Sequence, residues 1–197
     1  MRLLVAVKRV PDPYGRIRLT DDGARLDASE ARAVVNPYDE IALDAAHALR
    51  QGGTATESVA VTVVPARTAA GGYEETLRAA LARGADRGLL VTVEGETGPQ
   101  AVATALADAA RREEADLVLC GRQGSDSDDG QTGARVAGLL GWPLLAAAGS
   151  VEVDDGGRRV RIVRETDEGT ETVEAQLPAV VTCDLRGRDP RPLPLPA

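Results

Sequence analysis

Between residues 3 and 140, short and largely apolar runs alternate with longer segments of helical periodicity. The runs are Leu3–Val7, Ser58–Val64, Leu89–Val93 and Leu117–Cys120, the pattern of strands buried on both faces. Between them, Asn36-Pro37 marks a helix start, with Asn as cap, Pro in the first turn, and Asp39 and Glu40 beside the positive dipole end. Ile41, Ala45, Ala48 and Leu49 make its inward face, and Gly52-Gly53 ends it. Gly71-Gly72 opens a second helix, stopped by Gly84, with Leu77, Ala80 and Leu81 inward. Gly98-Pro99 opens a third, with Val102, Ala105, Leu106 and Ala109 on one stripe. This alternation predicts an α/β fold: a doubly wound, mostly parallel, Rossmann-like sheet between two helical layers. After Trp142-Pro143 the pattern changes. Ser150–Val153 and Arg158–Val163 flank Asp154-Asp-Gly-Gly157, a hairpin signature, followed by an extended stretch 170–177 and a buried run, Ala179–Asp184. An antiparallel β addition near the C-terminus is therefore expected. Residues 11–32, with Ile17, Leu19 and Leu26 among polar neighbours, suggest a loop and a short hairpin. A single nucleotide-binding domain over 1–186 and a Pro-rich tail over 187–197 complete the expected organisation.

The loop most pertinent to function is Gly121-Arg-Gln-Gly-Ser-Asp-Ser-Asp-Asp-Gly-Gln-Thr-Gly133. It leaves the strand ending at Cys120 and enters a segment with Val136, Leu139 and Leu140 at helical spacing. A loop between the carboxyl end of a parallel strand and a helix amino terminus is where α/β folds bind nucleotides, because exposed N–H groups and the helix dipole favour phosphate. Its glycines permit close backbone approach, and Ser125, Ser127, Gln131 and Thr132 can bond phosphate or ribose oxygens. The chain has neither Gly-x-Gly-x-x-Gly nor a Gly-Lys-Ser/Thr loop. Read as a calcium loop from Asp126, it has Gly130 at the fifth position and Ala137 at the twelfth, which excludes an EF-hand. Composition alone also admits a solvated acidic surface loop.

A net charge of −8 argues against nucleic acid and anionic membrane as partners. No run of eighteen apolar residues is present, so no membrane insertion is expected, and Leu3–Val7 is too short for a signal-peptide core. Cys120 and Cys183 sit in apolar runs, which favours buried thiols over a disulfide or metal pair and fits a cytoplasmic protein. The single histidine, His47, has no His or Cys near it in sequence to make a metal site or a Ser-His-Asp arrangement. Lys8-Arg9 either holds an anion or solvates a strand end. The chain reads as a nucleotide binder rather than an enzyme, with any redox chemistry left to a cofactor.

The opening Met1-Arg-Leu-Leu-Val-Ala-Val-Lys-Arg-Val10, Asn36-Pro-Tyr-Asp-Glu40, Gly84-Ala-Asp-Arg-Gly88, the Gly121–Gly133 loop and Leu177-Pro-Ala-Val-Val-Thr-Cys-Asp-Leu185 together resemble the small (β) subunit of electron-transfer flavoproteins. The resemblance runs from Leu3 to about Pro196 in order and spacing. It implies a structural AMP and an FAD shared with a larger α subunit. It also implies electrons arriving from flavin dehydrogenases, such as acyl-CoA dehydrogenases, and leaving for the respiratory chain. The matching nucleotide contacts are Ala6, Asn36, Pro37, Tyr38, Asp39, Val63, Gly121, Arg122, Gln123, Gly124, Ser125, Asp126, Ser127, Asp128, Asp129, Gly130, Gln131 and Thr132. The Gln131-Thr132-Gly133 ending resembles AMP-containing members rather than those with a second FAD. Leu195 matches a leucine that members place on partner dehydrogenases.

Two departures stand out. The aromatic residue that many members carry after the aspartate matching Asp12 is replaced by Pro13, with Tyr14 one step on. Members also continue for several tens of residues beyond the position of Pro196, so the tail is expected to be the start of a truncated partner-recognition loop. A stand-alone adenine-nucleotide-binding regulatory module on the same fold remains an alternative. An adenylate-forming ligase would need a Ser-Gly-Gly-x-Asp-type loop that is missing near the first strand.

Overall fold

The computed structural model describes residues 1–197 except 17, 25–31, 68–70, 96, 155, 187–189 and 193–197. Six parallel strands form the main sheet: β1 (Arg2–Ala6), β4 (Glu57–Pro65), β5 (Arg87–Val93), β6 (Leu117–Gly121), β7 (Leu144–Ala148) and β11 (Ala179–Cys183), in the order β5-β4-β1-β6-β11-β7. β2 (Arg9–Pro11) and β3 (Ala33–Val35) form a separate antiparallel ribbon directly after β1. β8 (Ser150–Val153), β9 (Arg159–Thr166) and β10 (Gly169–Gln176) form an antiparallel three-stranded sheet. The doubly wound fold and its β addition are as the sequence predicts.

Each strand of the main sheet sends alternate residues to opposite faces. Leu3 and Val5, Leu117 and Leu119, and Val181 and Cys183 pack under α1 (Pro37–Gln51), α2 (Gly71–Ala82) and the inner side of β9 through Val160 and Ile162. Leu4, Val118 and Val180 pack under α3 (Pro99–Arg112) and α4 (Thr132–Leu140), with Leu106, Ala109, Ala110 and Val136 facing them. Ile41, Ala45, Leu49, Leu77 and Ala80 are buried as their spacing requires, whereas Ala48 and Leu81 lie at the edge of their stripes and face solvent.

The sequence reading omits β7. Its Leu-Leu-Ala-Ala-Ala composition carries little β preference, and pairing with β11 supplies what propensity does not. The hairpin expected within 11–32 is instead the β2–β3 ribbon, whose strands sit at the margins of that stretch. Leu19 is exposed, while Ile17 and Leu26 lie outside the described residues.

Chain order fixes where a ligand can enter. From β1 the chain builds outward through β4 to β5, then returns to β6 on the other side of β1. The carboxyl ends of β1 and β6 therefore flank the topological switch point, where open α/β sheets form a crevice.

Candidate functional site

A crevice of about 290 Å³ opens at this point. That is close to the lower bound for small-ligand sites, about 300 Å³. Of the residues singled out in the sequence, Ala6, Asn36, Asp39, Val63, Gly121, Arg122, Gln123, Gly124, Ser127, Asp129, Gly130, Gln131 and Thr132 line it. Pro37, Tyr38, Ser125, Asp126 and Asp128 do not, although each neighbours a residue that does. Leu195 lies outside the described residues.

Asp39, in the first turn of α1, joins the two strand ends. Its buried carboxylate accepts the backbone N–H of Lys8 at 2.7 Å and that of Gly121 at 2.8 Å. Burial pushes the Asp39 carboxyl up to about 7, against those two donors and Asn36, which favour the anion. Burial, with the Asp39 charge adding to it, also pushes the neighbouring Cys120 thiol up. This makes Cys120 an inert wall residue, not a nucleophile. Gly121 has to be glycine, because a Cβ there would strike Asp39 Oδ1 and lie 2.6 Å from Tyr38 Cβ.

Asn36 differs from its sequence reading. It stands at the N-cap of α1 and its carbonyl accepts the N–H groups of Asp39 and Glu40, but its side chain caps nothing. Instead, Nδ2 donates to the Gln123 carbonyl at 2.8 Å and Oδ1 accepts the Ser125 N–H at 3.0 Å. The side chain is buried and pins the loop to the helix start.

Other loop side chains are similarly engaged. Lys8 Nζ donates to Asp126 Oδ1 at 2.6 Å, and Arg122 Nη1 to Asp184 Oδ2 at 2.8 Å. Gln123 Nε2 donates to Asp128 and to the Tyr38 hydroxyl. Gly130 has φ +61°, a left-handed turn immediately before α4. No side-chain hydrogen bond caps α4 at Gln131. Gly133 brings this helix end close to the sheet: a Cβ there would collide with Thr182 and lie 3.1 Å from Cys120 Sγ. The first-turn N–H groups of α4 thus form a donor set suited to a phosphate.

The far half of the crevice was not legible beforehand. Val61, Val102 and Leu106 give it an apolar wall, with Tyr73 and Thr97 at its edge. Arg9 also lines it, its guanidinium 5.9 Å from the centre of the Tyr73 ring. Val102 and Leu106 had been assigned to the core stripe of α3, and the remainder come from elements distant in sequence.

A family model described as "Electron transfer flavoprotein domain" matches residues 25–196. The β subunit of the electron transfer flavoprotein of Bradyrhizobium diazoefficiens is 42% identical over 196 residues, covering 100% of this chain and 76% of the relative. The chain belongs to the electron-transfer flavoprotein β-subunit family. The human β subunit is 42% identical over 200 residues, again with 100% of this chain and 76% of the relative covered. Its role accordingly lies in electron-transfer flavoprotein function.

One expectation is overturned. The rice relative, 41% identical over 200 residues and covering 100% of this chain and 76% of its own length, is named "Electron transfer flavoprotein subunit beta, mitochondrial". The cytoplasmic assignment does not stand beside it. Buried thiols indicate reducing surroundings, and more than one compartment provides those.

Proposed function

We propose that this β subunit binds AMP as a structural ligand in the switch-point crevice. With an α subunit it forms an FAD-containing carrier that receives electrons from flavin dehydrogenases, such as acyl-CoA dehydrogenases, and delivers them to the respiratory chain. The chain itself catalyses nothing. FAD, when bound between the subunits, supplies the redox chemistry.

The observation that carries this reading is the convergence of Asn36, Asp39 and the α4 N-terminus on one crevice. The loop arrives there already shaped, because Asn36 holds its backbone and Gly130 turns it into the helix. A phosphate at Gln131–Thr132 would meet N–H donors and the positive helix end. The apolar wall of Val61, Val63, Val102 and Leu106 suits an adenine ring, with Ala6 leaving room at the end of β1. Leu195, by its place in the family pattern, anchors the partner dehydrogenase.

The direct test is an acid extract of the purified chain, analysed for nucleotide, followed by calorimetric titration of AMP into the stripped protein. Stoichiometric AMP, or rebinding at one site, is expected. A stripped chain that binds no adenine nucleotide would refute the assignment of the crevice.

A further inference from the structure

On the side of α1 facing the end of α2 lies a charged cluster away from the crevice. The Arg83 guanidinium, almost wholly buried, pairs with Glu40 at 2.7 Å and Asp44 at 3.6 Å. Arg191, from the C-terminal segment, closes onto it. Its backbone N–H donates to Asp44 Oδ2 at 2.6 Å, and its Nε lies 3.7 Å from Asp44 Oδ1. Arg191 Nη2 donates to the Arg83 carbonyl at 2.8 Å, and Arg83 Nη1 donates to the Arg191 carbonyl at 2.8 Å. Arg191 Nη1 lies 3.1 Å from His47 Nε2. Because a guanidinium can only donate, that nitrogen is the acceptor and the imidazole is neutral, with its proton on Nδ1. Gly84, at φ +103°, makes space for the ring, since a Cβ there would collide with Nδ1. Two cations, two anions and a neutral imidazole thus balance, with both arginines exchanging main-chain hydrogen bonds.

The sequence beyond this point explains why a fixed hold matters. In Pro190-Arg-Pro-Leu-Pro-Leu-Pro196, proline stands at every second position. Proline fixes φ and removes the N–H donor, so such a stretch cannot be held by a regular hydrogen-bond ladder of its own. Its direction has to come from the point at which it is gripped. A terminal segment without such a grip would be ordered only on docking, at an entropic cost to affinity.

We propose that the Arg83–Asp44–Arg191 clasp, completed by Glu40 and His47, is the fixed point from which the C-terminal leucines are presented to the partner dehydrogenase. Arg191 is then a positioning residue for docking. This rests on the reading of Leu195 as the partner anchor.

The test uses the flavoprotein assembled with its α subunit and compares wild type, Arg191→Gln, Arg191→Lys and Leu195→Ala. Steady-state reduction by an acyl-CoA dehydrogenase gives KM for the flavoprotein and kcat, and hydrogen exchange reports the clasp. Arg191→Gln is expected to raise KM about tenfold with kcat and the AMP and FAD contents unchanged. Arg191→Lys, which keeps the charge but not the fork, should fall between. Slow exchange at the Arg191 amide in wild type should quicken in Arg191→Gln. An Arg191→Gln protein with faster exchange but wild-type KM would reduce the clasp to a stability element and overturn the proposal, as would a rapidly exchanging amide in wild type. The Leu195→Ala arm separates the two ideas. If Leu195→Ala raises KM and Arg191→Gln does not, only the clasp proposal fails. If Leu195→Ala leaves KM unchanged, the docking reading has failed and the proposal falls with it.

Discussion

The Asp39 carboxylate accepts the backbone N–H of Gly121 at 2.8 Å, tying the first turn of α1 to the strand end from which the nucleotide loop departs. Burial holds this carboxyl near 7, well above the ordinary value of about 3.9. Between those values the folded protein keeps a proton that the unfolded chain has released. The stabilisation from this group is therefore complete below about pH 4 and is lost as pH rises through 7, at up to about 1.4 kcal/mol per pH unit. Glu57, Asp86 and Asp154 are shifted in the opposite direction, so the total slope is a sum and the Asp39 part needs a difference measurement. Asp39→Asn removes the titration and turns an amide donor toward one of two N–H groups. The stability gap between wild type and Asp39→Asn in urea unfolding should narrow from pH 5 to pH 8. A gap independent of pH would show that Asp39 is ionised throughout.

Asn36→Ala removes two hydrogen bonds to the loop and leaves the Gln123 carbonyl and Ser125 N–H without their partners. Each bond is worth about 1 kcal/mol, and more where a buried group is left unsatisfied. The N-cap itself should suffer little, because the side chain does not cap α1. We expect a fall in AMP affinity of about tenfold or more, with a loss of stability of about 2 kcal/mol. Unchanged calorimetric affinity would mean that the loop keeps its shape without Asn36.

Periodicity revealed the parallel sheet because its strands are apolar on both faces and its helices begin and end at Asn36-Pro37, Gly52, Gly84 and Gly98-Pro99. It could not reveal β7, where Leu-Leu-Ala-Ala-Ala suits a helix as well as a strand. Asn36 was legible as a residue of the helix start, but not as the clamp on residues 123 and 125, since that contact spans 87 and 89 positions. For the same reason the Lys8–Asp126 pair, Tyr73 beside Arg9, and the Arg83–Arg191 exchange carry no local signature. Local rules place residues on the right edge of the sheet, and tertiary packing decides whom they meet there.

The glycines divide into those that need to be glycine and those that do not. Gly121→Ala would drive a Cβ into Asp39 and Tyr38 at the rigid junction of β6 and α1, and should destabilise by about 1–3 kcal/mol. Gly130→Val meets open space but places a β-branched residue at φ +61°, so it should cost AMP affinity by forcing the turn before α4 to change. Gly138 lies inside α4 with nothing near its missing Cβ, and Gly138→Ala should stabilise by about 0.5–1 kcal/mol with AMP affinity unaltered. Thermal melts and AMP titrations of the three variants give the comparison. Wild-type affinity in Gly130→Val would remove that turn from the nucleotide site.

Flavin should bind only after the α subunit is present. The crevice of about 290 Å³ is at the small end for a mononucleotide and has no room for a dinucleotide as large as FAD. Its loop wall also carries Asp126, Asp128 and Asp129, so a second phosphate beyond the α4 N-terminus would meet like charge. Elsewhere on the chain, Tyr14 is 91% exposed and Leu19 61% exposed, apolar surface of the kind that a partner subunit covers. Titrating FAD into the AMP-loaded chain alone is therefore expected to give no stoichiometric change in flavin absorbance or fluorescence. Adding the α subunit should produce a one-to-one flavin complex, and Tyr14→Ala should weaken assembly rather than AMP binding. A stoichiometric flavin spectrum from the chain purified alone would place a complete flavin site within this subunit, contrary to the shared-site reading.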